Sequence, residues 1–172
     1  MDRSIYPRRP PRLARVFPKY HPLYFITFNT FPRRPLLDRP DVHQAFLTYA
    51  WHARDRGIAV GAYALMPDHA HLLVLLPRDN PRPDPWVKGL RTVMGRALAA
   101  CGEPRPHWQE GFVDHLIRSA DDLTETCVYI RDNPVRAGLV EQTEDWPYGG
   151  ELCRISFDRG WVDPDYWGAW EA

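Results

Sequence analysis

Eighteen prolines partition this 172-residue chain before any other pattern acts on it. Proline fixes φ and lacks an N–H, so it is expelled from helix interiors and central strands. Eight of the eighteen fall in the first forty residues, whereas windows 41–66, 86–103 and 107–133 contain none. Long elements are therefore confined to those windows and to residues 23–30, LYFITFNT, whose aromatic and β-branched side chains read as a strand.

Within the windows, periodicity assigns the elements. Over 41–56, Val42, Ala45, Phe46, Tyr49, Ala50 and Ala53 recur at helical spacing, and Gly57 supplies a stop. Residues 58–66 read as a strand, Pro67-Asp68 as a tight turn and 69–76 as the antiparallel partner. A proline-rich loop separates these from an amphipathic helix over 86–101, closed at Gly102. A strand is expected near 112–117. The last helix spans 121–132, opened by Ser119 with Asp122 three residues on and closed by Asn133-Pro134. The order β, α, β, β, α, β, α predicts an α+β domain: an antiparallel sheet with helices packed on one face. The boundaries expected are a basic arm over 1–20, the domain over 21–150 and an acidic tail over 151–172.

The formal charge is zero, yet it is unevenly spread. Residues 1–40 carry nine basic and two acidic groups, a net +7; residues 41–140 sum to −1 and residues 141–172 to −6. A basic arm and an acidic end suit a polyanion partner or self-masking; two solvated ends are the alternative. Twenty of the 22 cations are arginine, the residue suited to forked phosphate contacts. An apolar fraction of 44% excludes wholesale disorder. The longest aliphatic run, LLVLL at 72–76, is far short of the roughly 20 residues that span a bilayer. With arginine and proline where a signal peptide needs an apolar core, a cytoplasmic protein is expected. The three cysteines form no CxxC pair, so neither a disulfide frame nor a zinc knuckle is supported.

His69 and His71 stand at i and i+2 on a predicted strand, so both leave the face continued by Leu73 and Leu75. Two neutral imidazoles just past a turn can share one metal ion and leave its remaining positions open. The alternative is a pair of half-buried histidines bonded to loop carbonyls. Zinc-hydrolase patterns of the HxHxD type fail because Leu73 occupies the aspartate position.

On the last helix the apolar stripe is Leu123, Cys127 and Ile130, and Tyr129 points about 125° away from its centre. Asn133 lies one turn further on, about 40° round. A phenol, with its ordinary pKa of about 10, is a poor nucleophile unless a cation polarises the phosphate it attacks. Alternatively Tyr129 is a surface residue whose ring rests on apolar neighbours.

The segments Tyr63-Ala-Leu-Met-Pro-Asp-His-Ala-His-Leu-Leu-Val and Tyr129-Ile-Arg-Asp-Asn-Pro-Val-Arg-Ala-Gly-Leu-Val resemble the two signature blocks of the IS200-like single-tyrosine transposases, most closely the REP-associated branch. Phe25-Ile-Thr-Phe-Asn-Thr, Arg33-Arg34-Pro35, Trp108-Gln-Glu-Gly-Phe-Val-Asp-His-Leu-Ile-Arg118 and Asp145-Trp146-Pro147 add to the likeness, which covers roughly 20–150. The resemblance implies a ferredoxin-like HUH endonuclease domain, often dimeric. It implies a DNA transposase that nicks and rejoins single-stranded DNA near hairpins through a 5′-phosphotyrosine intermediate. Tyr129 matches the nucleophile and His69 and His71 the metal pair. Asn133 falls at a third metal ligand, though an Asn before Pro is equally a plain helix stop. The metal implied is Mg²⁺ or Mn²⁺, whereas two imidazoles alone would first suggest zinc. Candidate DNA contacts are Arg8, Arg9, Arg12 and Arg15 in the arm, Arg33 and Arg34 in a loop, and Arg118 and Arg136 flanking the catalytic helix. Arg91 and Arg96 read instead as a solvated helix face. Such a protein works at the nucleoid. Competing readings are a catalytically idle hairpin-binding descendant of a transposase and a zinc hydrolase in which Tyr129 is incidental.

Overall fold

The computed structural model describes residues 21–158 and 160–161. The arm with Arg8, Arg9, Arg12 and Arg15, and residues 162–172 of the acidic tail, lie outside them. The chain runs β1 (Leu23–Asn29), α1 (Pro40–Ala53), a 3₁₀ turn (Arg54–Arg56), β2 (Ala59–Leu65), β3 (His69–Leu75), α2 (Pro83–Ala100), β4 (Val113–Leu116) and α3 (Ala120–Arg136). A second 3₁₀ turn (Thr143–Asp145) leads to β5 (Gly149–Glu151) and a small hairpin of β6 (Ile155–Ser156) and β7 (Gly160–Trp161). The five-stranded sheet has the order β4-β1-β3-β2-β5, antiparallel throughout. Its β4-β1-β3-β2 part, with α1 and α2 as crossovers, is the ferredoxin-like arrangement, so the α+β class holds.

Alternation along the strands builds two cores. Ile26 and Phe28 of β1, and Ala70, Leu72 and Val74 of β3, face α1 and α2, where they pack with Val42, Phe46, Leu90 and Met94. Leu23 of β1, and Leu73 and Leu75 of β3, face the opposite way and meet Leu123 and Ile130 of α3. The expectation of helices on one face is thus met by α1 and α2 and corrected for α3. With both faces covered, β2 is buried at every position and β3 at every position after His69.

In β2 the register shifts between Val60 and Tyr63. A Cβ on Gly61 would stand 2.9 Å from Ile155 Cδ1, so glycine at this position lets β2 lie close to the chain that follows β5. That following chain is integral: Leu152 and Cys153 are buried, and the boundary expected at 150 runs through β5.

Two helix ends differ from expectation. α2 begins at Pro83, three residues early, because prolines in a first turn forfeit no helical hydrogen bond. α3 continues through Asn133-Pro134 to Arg136. Pro134 sits in the last turn, buried one turn on from Ile130, and Ala137 N–H still reaches Asn133 O at 2.9 Å. The stop comes from Gly138 at φ 70°.

Candidate functional site

The turn before β3 and the pleat of β1 bring the site together. Thr27 pairs with His71 and Asn29 with His69 across the β1–β3 ladder. The imidazoles of His69 and His71 lie with centroids 4.7 Å apart on the α3 face. Tyr129, on α3, sets its ring 5.3 Å from that of His71, and Phe25 packs against both at 5.5 and 5.8 Å. The sequence-predicted residues His69, His71 and Tyr129 are therefore neighbours, although His71 and Tyr129 are 58 positions apart in the chain.

Their environments differ. His71 is only 5% exposed. Burial first, then the neighbouring His69 and Arg33, hold its pKa down to about 3, so its ring is neutral at physiological pH. Its Nδ1 shares a hydrogen bond with Thr27 Oγ1 at 2.9 Å. His69 Nδ1–H donates to Asp68 Oδ1 at 2.7 Å, which leaves Nε2 with the free lone pair. Tyr129 remains 38% exposed, and the Arg136 guanidinium lies 5.4 Å over its ring.

Behind His69 runs a polar chain that sequence reasoning did not find. Arg33 Nε contacts Asp68 Oδ2 at 2.7 Å, and its Nη1 donates to Asn29 Oδ1 at 2.6 Å. Asn29 Nδ2 in turn donates to Gln109 Oε1 at 2.9 Å. Arg33 achieves this with φ at 67°, in the left-handed region that non-glycine residues rarely adopt. One signal was present: alternation places Phe25, Thr27 and Asn29 on one face of β1, two of them polar where a core is expected.

The other predicted residues divide. Asn133 is half-buried on the same strip of α3 as Tyr129, one turn on. Arg118 is exposed just before α3. Arg34 is an internal strut: it donates to the carbonyls of Phe31, Pro104 and Pro106 and contacts Glu103 at 3.4 Å. Arg91 is not a solvated residue. It donates to the carbonyls of Gln109 and Gly111 and covers the Phe28 and Trp108 rings.

Two hydrogen-bonded imidazoles, each with one nitrogen occupied by the protein, have one ring nitrogen apiece left to offer a metal ion. A phenol beside them is accessible to an incoming group. The arrangement suits nucleophilic attack on a phosphate diester next to a divalent cation.

No family model matches the chain. A REP-associated tyrosine transposase of Escherichia coli (strain K12) is 34% identical over 125 residues, 73% of each chain. A relative from Haemophilus influenzae, provisionally assigned to the same group, is 34% identical over 117 residues, covering 62% of this chain and 65% of its own. Among solved structures, a REP-associated tyrosine transposase bound to a REP hairpin aligns with TM-score 0.65 and 27% identity, over 85% of this chain and 81% of that one.

Proposed function

The chain belongs to the family of REP-associated tyrosine transposases, and from that premise we propose that it cleaves and rejoins single-stranded DNA beside a hairpin, with Tyr129 as nucleophile. The observation that carries the proposal is the contact of the Tyr129 ring with His71 at 5.3 Å, on the open side of a histidine pair. The solved relative is bound to a REP hairpin, and a hairpin of that kind is the substrate we assign here. Among the described residues, no helix is long and apolar enough to cross a membrane.

His69 and His71 would hold Mg²⁺ or Mn²⁺. Their hydrogen bonds to Asp68 and Thr27 fix the rings, and the depressed pKa of His71 keeps its lone pair available. Asn133 is our candidate for a third ligand. When bound, such a cation supplies Lewis-acid polarisation of the scissile phosphate. Asp68 orients His69 and holds its proton on Nδ1. Phe25 packs on both Tyr129 and His71 and keeps the phenol beside the imidazole. The Tyr129 oxygen forms a bond to phosphorus as the bond from phosphorus to the 3′ oxygen breaks. The phenolic proton leaves to water and the 3′ oxygen takes one up, giving a 5′-phosphotyrosine ester and a free 3′-OH. Attack by a 3′-OH on the ester reverses these bond changes and rejoins a strand.

The test is incubation with a labelled single-stranded DNA hairpin and Mg²⁺ or Mn²⁺, followed by denaturing electrophoresis. An SDS-stable adduct in the wild type, absent in Tyr129→Phe, is expected. An adduct that persists in Tyr129→Phe would remove the assigned nucleophile. Tight binding with no adduct would instead favour the idle hairpin binder.

A further inference from the structure

On the far side of the sheet from Tyr129, α2 and the segment leading into β4 enclose a groove of about 740 Å³. Lys88, Arg96 and Arg105 line it, all exposed and without an ion-pair partner among the described residues; Asp84 is the one carboxylate in its lining. Lys88 and Arg96 are eight residues apart, two turns and a little more, so they stand about 12 Å apart along one side of α2. One DNA strand presents a phosphate every 3.4 Å or so of helix axis, and the two cations therefore bracket roughly three to four of them.

The groove exists because α2 lets the opposite wall approach. Gly95 is buried, and a Cβ there would lie 3.3 Å from Trp108 Nε1 and 3.4 Å from His107 Nδ1. Trp108 Nε1 donates to Arg91 O at 3.0 Å, tying that wall down. Gln109 links the groove to the catalytic side: its carbonyl accepts from Arg91, and its side chain accepts from Asn29 in the chain behind His69.

We infer that this groove holds the phosphate backbone of the hairpin stem, while the single-stranded segment beside the stem passes to Tyr129. The inference rests on the transposase reading above and assigns that substrate a second, separate contact surface. A duplex backbone fits better than an unpaired strand because the indole in this lining is built into the wall. Arg91 lies 5.6 Å over the Trp108 ring, Phe28 stands roughly perpendicular to it at 5.4 Å, and Trp108 Nε1–H is spent on Arg91 O. What the groove does offer is cations on flexible side chains, which recognise phosphate irrespective of sequence.

The experiment measures binding of the full chain to two labelled DNAs, a hairpin with a 5′ single-stranded extension and a stemless oligonucleotide of that extension, over a range of salt. The triple variant Lys88→Ala/Arg96→Ala/Arg105→Ala should bind the hairpin about 10- to 100-fold more weakly, with the slope of log affinity against log salt reduced by about 2 to 3. Affinity for the stemless oligonucleotide should change much less. Equal losses on both DNAs would overturn the stem assignment, and unchanged hairpin affinity with an unchanged slope would overturn the groove. If the wild type neither binds the hairpin nor forms the adduct, it is the transposase reading that fails. All three side chains are exposed, so the melting temperature should hold; Arg105→Glu, on a loop, gives a second variant whose hairpin loss must match in direction.

Discussion

The two faces of the sheet use the same strands for opposite purposes. Under α1 and α2, alternate residues of β1 and β3 are wholly apolar and pack against fully buried Val42, Phe46 and Leu90. On the α3 face the intervening residues include Thr27, Asn29, His69 and His71, with apolar packing retained only toward the Leu23 and Leu75 end. Stability and chemistry are thereby separated by a single strand's thickness. A residue shift of one in register would exchange them.

Substitutions on the two faces should break this comparison in different ways. Tyr129→Phe should abolish adduct formation while leaving the melting temperature essentially unchanged, because the lost hydroxyl is on a half-exposed ring. Phe46→Ala, in the dry face, should cost about 3 to 5 kcal/mol of stability, read from the denaturant midpoint. Phe25→Ala, on the α3 face, should cost less stability than Phe46→Ala and more adduct formation, since Phe25 packs against both Tyr129 and His71. Asp68→Ala should weaken Mn²⁺ binding about 10- to 100-fold, measured by titration calorimetry, with Asp68→Asn retaining most of the affinity through its carbonyl acceptor.

A separate effect is on pH dependence. In the metal-free protein the His71 ring stays neutral down to about 3, whereas a histidine in the unfolded chain takes a proton near 6.5. Between these values the unfolded state binds more protons, so stability falls as pH drops from about 6.5 toward 3. His43, lowered by burial and sharing a hydrogen bond with Tyr63 Oη at 2.8 Å, adds a contribution of the same sign from the other face. Urea midpoints at stepped pH should show this slope, flatter in His71→Gln.

Local signals made much of this legible. The proline-free windows located the elements within a few residues, and the i, i+2 rule put His69 and His71 on the face shared with Leu73 and Leu75. Tyr129 was read as turned away from its helix's own apolar stripe, and its ring meets β1 and β3. The stripe of α3 showed that one side is buried and could not say against which face of the sheet. Asn133-Pro134 looked like an ending because an internal proline usually is one; here burial of the ring in the last turn outweighs one lost hydrogen bond. The roles of Arg34 and Arg91 depend on carbonyls far away in sequence, such as those of Pro104 and Gln109, and no spacing rule reaches that distance.

Arg33 carries a consequence for how the protein can change. Its left-handed backbone costs on the order of 1 kcal/mol or more, which glycine would recover. Glycine would also remove the guanidinium that joins Asp68 to Asn29. A sturdier chain and a well-held His69 are thus alternatives at this position, and selection for thermal robustness alone would erode the site first there.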